Sequence, residues 1–274
     1  RLTLDSISAM NTYYVLADRA IEQGEWPLWN TYEFCGMPLL ANYQSAVLYP
    51  PRLLHLLFDL ATATTMYILL KLWLCGMTAY FCAREMGVGA SASRFASVGW
   101  MLCSYNVVWC YWPLPDVSAW APILILGVEC ILDARYKRGF YALLIGAAMI
   151  LLAGHPETAF VFGAGSGTYF VARLLLERRK GRELWTPLAI ASAGWCVGLL
   201  LAAAQIIPFL EYIANAPAHG GGLAPSPGTV ISFWLPRFYG LNALKNFWGT
   251  YHSNITMMLY PGMAAWLGVG LLIV

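Results

Sequence analysis

Gly24-Glu-Trp-Pro-Leu-Trp-Asn30, Gly36-Met-Pro38 and Gln44-Ser-Ala-Val-Leu-Tyr-Pro-Pro51 are the stretch whose reading decides the fold. Trp26, Trp29, Tyr32, Phe34, Tyr43 and Tyr49 are amphipathic rings of the kind that settle at a membrane–water boundary. Pro27, Pro38, Pro50 and Pro51 deny the backbone a continuous helix, and Gly24 and Gly36 supply turn conformations. A rigid aromatic segment beside a bilayer needs other elements packed on it. A membrane-surface loop with no chemistry is the plainer alternative.

The rest of the chain supplies the bilayer. Of 274 residues, 59% are hydrophobic and 11% charged, and the mean hydropathy is +0.60. That is too little charge to cover a water-soluble domain, so the composition predicts an all-α polytopic membrane protein. A formal charge of +2 gives no reason to expect nucleic acid. Five of the seven cysteines fall inside apolar runs and Cys110 near the end of one, leaving only Cys35 in a loop. Neither a disulfide framework nor metal-ligand spacing emerges. The chain opens without an initiator Met and stops within the apolar run Trp266–Val274, as expected of an internal piece of a longer protein.

Ile7, Met10, Tyr14, Ala17 and Ile21 recur at three- and four-residue steps, with Asp18, Arg19 and Glu22 elsewhere. This predicts an amphipathic helix over 6–23, capped by Asp5 or Ser6 and stopped by Gly24. A short helix follows from Pro51 to Phe58. Apolar runs at 60–83, 95–112, 117–133, 140–154, 158–176, 186–207 and 257–274 predict about seven spans. Arg84 and Arg94, then Arg135, Lys137 and Arg138, then Arg173, Arg178, Arg179, Lys180 and Arg182 mark alternate connections, while 113–116 and 155–157 carry no base. The positive-inside rule makes the basic connections cytoplasmic. Four units result: an outer loop with interfacial helices (1–59), a helical bundle (60–207), a second outer loop (208–256) and the start of a further span (257–274).

All four histidines (His55, His155, His219 and His252) then lie outside, with Asp5, Asp116, Glu157 and other acids. Asp5 is a helix cap or a general base or metal ligand. Asp116, in the turn Trp112-Pro-Leu-Pro-Asp116, is a cap for a helix starting at Val117 or a site carboxylate. In Gly154-His-Pro-Glu157 a helix-breaking turn explains the Gly and Pro but not the His and Glu. Lys71, near the middle of its span, needs a partner, with Glu129 or Asp133 in view. The aromatic segment 233–251, which includes Arg237, suits sugars and lipid phosphates or an interfacial helix equally.

The motifs of the opening stretch, with Gly154-His-Pro-Glu157, Gln205-Ile-Ile-Pro208 and Tyr260-Pro-Gly262, resemble the YfhO-like bacterial membrane proteins of the GT-C superfamily. The resemblance covers nearly the whole chain. It implies a GT-C-like helical bundle in the bacterial plasma membrane, one further helix before Arg1, and inverting transfer of a sugar from a polyprenyl-phosphate donor to a cell-envelope glycan or teichoic-acid-like acceptor. Asp5 would be the base and Asp116 a supporting acid or metal ligand. Arg52, His55, His155 and Arg237 would contact phosphate, with Glu157, Trp29, Asn30 and Tyr49 on the substrate. A divalent cation, magnesium or manganese, is an open cofactor. Asp5 and Asp116 should share one cavity walled by Trp26–Trp29. The alternatives are a transporter or flippase for lipid-linked envelope precursors and a non-catalytic scaffold.

Overall fold

The computed structural model describes residues 10–33, 35–179, 181 and 183–215. Asp5, Arg237, His219, His252, residues 216–256 and the run at 257–274 lie outside the described residues.

Helix α1 (Asn11–Glu22) buries Tyr14, Ala17 and Asp18. Gly24, at φ +76°, ends it, and the Glu25 amide turns back to the Ala20 carbonyl. The predicted apolar stripe holds at Met10, Tyr14 and Ala17, whereas Ile21 is exposed and Asp18 buried. A two-residue hairpin follows, β1 (Trp29–Asn30) against β2 (Met37–Pro38). At its turn a Cβ on Gly36 would stand 2.7 Å from the Trp29 indole nitrogen. The expected helix after Pro51 is present as a tighter 3-10 helix, Pro50–Leu56, with proline in its first turn.

Helix α2 (Leu60–Glu85) is capped by Asp59, whose carboxylate accepts the Ala61 and Thr62 amides. It turns at Gly87 into α3 (Ala90–Met101), where Ser97 donates to the Gly76 carbonyl. The short helices α4 (Ser104–Val108) and α5 (Leu114–Ser118) lead into α6 (Ala121–Leu132). Helices α7 (Tyr136–Leu152), α8 (Pro156–Arg179), α9 (Trp185–Leu201) and α10 (Ala203–Asn215) complete the described chain.

Helix α7 packs between α6 and α9 through small residues. A Cβ on Gly139 would meet Ile131 and the Gly127 carbonyl, and one on Gly198 would stand 2.7 Å from Ala147. Glycine lets these backbones approach closely, as apolar helices do where no water drives them together.

Among the described residues, three stretches are long and apolar enough to cross a membrane: α2, α5 with α6 as Leu114–Leu132, and Pro156–Arg178 of α8. The pair α9 and α10, bent by 71°, makes a fourth if it is one span. Two expected runs differ. The run at 95–112 breaks into α3 and α4, and Asn106 Nδ2 satisfies the Trp100 carbonyl at 2.7 Å. The run at 140–154 forms α7, 17 residues long. Met66, Leu69, Trp73 and Phe81 of α2 and Phe160, Val161, Val171 and Leu175 of α8 point outward. An exterior so apolar fits lipid and would be costly in water.

The two sets of connections sit at opposite ends of the helices. Glu85 at the foot of α2 pairs with Arg135, and with Arg138 at 2.7 Å, so two basic connections share one end. At the other end Tyr43 donates to the Leu151 carbonyl, and Gln205 Nε2 donates to the Leu40 carbonyl at 2.7 Å. The segment 39–56 is largely buried there. Asp116, two residues into the stretch Leu114–Leu132, is level with Lys71, eleven residues into α2. The start of the α5–α6 stretch is therefore recessed by roughly 14 Å along α2, and the first loop fills that recess. Irregular backbone at such depth is tolerable because protein covers it.

Candidate functional site

The recess holds two buried ion pairs. Arg52, from the 3-10 helix, donates through both terminal nitrogens to Asp18 Oδ1 of α1, at 2.8 and 3.0 Å. Lys71 Nζ of α2 lies 2.7 Å from Asp116 Oδ2 and 3.2 Å from the Trp112 carbonyl. Lys71 is 1% and Asp116 0% exposed. Aromatic rings join the pairs: Tyr14 to His55 at 4.8 Å, His55 to Tyr67 at 5.3 Å, and Lys71 Nζ over Tyr67 at 4.3 Å. Tyr49 closes the top, its hydroxyl accepting from Trp120 Nε1 at 2.9 Å and donating to the Asp116 carbonyl at 3.4 Å.

Local sequence explains each placement. Tyr14 and Asp18, and likewise Tyr67 and Lys71, are four residues apart and so share a helix face. Pro50 and Pro51 tighten the helix that carries Arg52 and His55. Asp116 lies within α5 and bonds Lys71 instead of capping a helix at Val117, which corrects the cap reading. The expected partners of Lys71 are engaged elsewhere. Glu129 accepts from Tyr169 and Arg173, each at 2.6 Å, and Asp133 pairs with Arg135. The reason is register: α2 and α6 run in the same direction, and Glu129 lies about 20 Å further along than Asp116.

Burial governs the electrostatics of the loop. It lowers the His55 pKa to about 4; the bond to the Arg52 carbonyl opposes the shift, and the nearby cations Arg52 and Lys71 add to it. The ring is therefore neutral near pH 7, with Nδ1–H donating to the Arg52 carbonyl at 3.2 Å and Nε2 bare. Burial also raises the Asp18 carboxyl against the opposing pull of Arg52, and raises the Tyr14 and Tyr49 phenols. With a folded pKa below the unfolded value near 6.5, His55 binds fewer protons in the folded state between about pH 4 and 6.5. Its contribution is present above that window and lost as pH falls through it. Stability is expected to drop on acidification over this range, by up to about 3 kcal/mol for this group, seen as falling melting midpoints, and to drop less in His55→Gln.

The other sequence-predicted residues sit apart from this cluster. His155 caps α8, its Nδ1 accepting the Thr158 amide at 3.3 Å, and Glu157 occupies the first turn, favoured by the helix dipole. Glu157 Oε2 is 3.4 Å from the same nitrogen. The amide bond takes the Nδ1 lone pair, so the Glu157 contact becomes a hydrogen bond only if His155 is protonated, and burial lowers its pKa. Gly154, at φ +88°, has Ala46 3.0 Å from where a Cβ would stand. All four residues of Gly154-His-Pro-Glu157 thus have a local role, including the two that the turn alone left unexplained.

Trp29 is exposed. Asn30 is buried in the hairpin, donating to Glu33 Oε2 at 3.0 Å while its Oδ1 accepts the Tyr32 amide at 2.9 Å. Arg52 and His55, expected at a phosphate, are instead covered by the loop they hold. The sequence reading passed over Tyr14, Asp18 and Tyr67; their four-residue spacings were the available signal. Among the described residues, no three His, Cys, Asp or Glu side chains come together as a metal-binding group.

The fold and the site define a mostly helical protein with, among the described residues, three or four helices fit to span a membrane and a buried ionic cluster beneath its first loop. Comparison with protein-family models, with curated proteins and with solved structures returns no match for this chain.

Proposed function

We propose that this chain is part of a membrane glycosyltransferase of the GT-C kind, moving a sugar from a polyprenyl-phosphate donor to a cell-envelope acceptor outside the bacterial plasma membrane. The observation that carries the reading is the folded outer loop. Asp18–Arg52 ties the loop to itself, and Tyr49–Trp120 and Gln205–Leu40 clamp residues 10–56 onto the base-free end of the helices. Trp26, Trp29, Tyr32 and Glu157 remain open on the surface there. Such a platform can orient a lipid-linked sugar at the boundary while a carboxylate removes the acceptor proton. Asp5 is that base in this reading. Asp116, committed to Lys71, positions the loop through Tyr49. Arg237 and His155 are the candidates for the departing phosphate. The described residues offer no ligand set for magnesium or manganese, and no step is assigned to a metal.

One observation favours the transporter or flippase: an ion pair buried within spans is a common mark of a transport pathway. Full-length protein in liposomes, given a fluorescent polyprenyl-phosphate sugar and an envelope acceptor, separates the two. Labelled acceptor without donor crossing the bilayer is the expected result. Crossing without transfer would replace the enzyme by the transporter.

A further inference from the structure

Four buried polar atoms around the cluster make no hydrogen bond: Arg52 Nε, His55 Nε2, Tyr67 Oη and Asp116 Oδ1. Each would cost about 1–3 kcal/mol if left dry, and native interiors resolve such groups with ordered water. Their chemistry is balanced. Arg52 Nε and the Tyr67 hydroxyl donate, whereas Asp116 Oδ1 and the bare His55 Nε2 accept. The formal charges also cancel, since Asp18 and Asp116 are matched by Arg52 and Lys71 and burial keeps His55 neutral. A net-neutral site with two donors and two acceptors suits water better than an ion.

These atoms belong to groups in a continuous series. Asp18 has 12% of its side chain exposed at the outer end and pairs with Arg52. His55 lies in the same 3-10 helix, and its ring meets Tyr14 at a tilt and Tyr67 edge to face. Lys71, whose ammonium lies over the Tyr67 ring, bonds Asp116, the far end of the series. The geometry points to a hydrated proton path from Asp18 at the outer end, past Arg52 and His55 and through the Tyr67 hydroxyl, to Asp116 within the span. It goes beyond the enzymatic reading and does not depend on it. In the transfer, Tyr67 passes its hydroxyl proton through a bridging water to Asp116 Oδ1 as a second water returns one to the phenolic oxygen. That water is replenished along the series from outer solvent. The net change is one proton gained by Asp116, whose hold on Lys71 weakens as its charge is lost. The groups facing Asp116 are Lys71, Tyr67 and Cys75 of α2, Tyr14 of α1 and Tyr49 of the loop. Those facing His55 are Arg52, Lys71, Tyr14 and Tyr67.

Time-resolved infrared spectroscopy of the full-length protein in oriented liposomes tests the path. A protonated-carboxyl band, assigned to Asp116 by its loss in Asp116→Asn, is expected to rise faster when acid is added outside than when it is added on the basic-loop side. Tyr67→Phe keeps the ring over Lys71 and removes the hydroxyl, and should slow that rise by roughly tenfold or more. The sidedness measurement uses unmodified protein, so a folding defect in Tyr67→Phe leaves the test intact. Absence of the band, equal rates from both sides, or an unchanged rate in a folded Tyr67→Phe would each overturn the path.

Discussion

Asp5→Asn in the full-length protein is expected to insert and fold normally while sugar transfer falls by roughly two or more orders of magnitude. Asparagine keeps the size of aspartate and much of its capacity to cap a helix N-terminus. What it loses is basicity, the one property that a proton-abstracting group cannot do without. Capping and catalysis therefore separate in a single substitution. If Asp5 only caps, Asn should be nearly silent in both melting temperature and transfer. If Asp5 is the base, transfer collapses at unchanged stability, with kcat falling more than KM rises. Transfer at the unmodified rate would remove Asp5 from the mechanism.

Lys71→Met is expected to destabilise the protein by about 3–5 kcal/mol. The substitution leaves the Asp116 carboxylate wholly buried opposite an apolar side chain. Protonation of that carboxylate limits the loss, so the deficit should shrink as pH falls. The double variant Lys71→Met with Asp116→Leu should recover most of it, since a buried pair replaced as a unit by apolar groups is often neutral in stability. Denaturation of all four species in lipid nanodiscs gives the coupling directly. A Lys71→Met variant as stable as the parent would show that the pair is not holding α5 to α2.

Glycine and proline marked two breaks: Gly24 ends α1, and Gly154 with Pro156 divides α7 from α8. The alternation of basic and base-free connections matched the two ends of the helices, because helices joined by short turns must reverse direction. The Tyr14 face of α1 was legible from its period, and the need of Lys71 for a partner followed from its depth in an apolar run.

Periodicity reports which face of one helix is apolar, and nothing about how far one helix slides along another. Asp18 falls outside the apolar set read for α1; the arrival of Arg52, 34 residues later, makes its burial tolerable. Asp116 and Lys71 meet across 45 residues because the Leu114–Leu132 stretch starts deep beside α2. The same recess turned Arg52, His55 and Tyr49 from expected substrate contacts into the walls of a buried cluster. Local turn chemistry and apolar period thus determined most of the helices and their two ends. Helix register, which only packing sets, decided which charges were paired, and so where the site could lie.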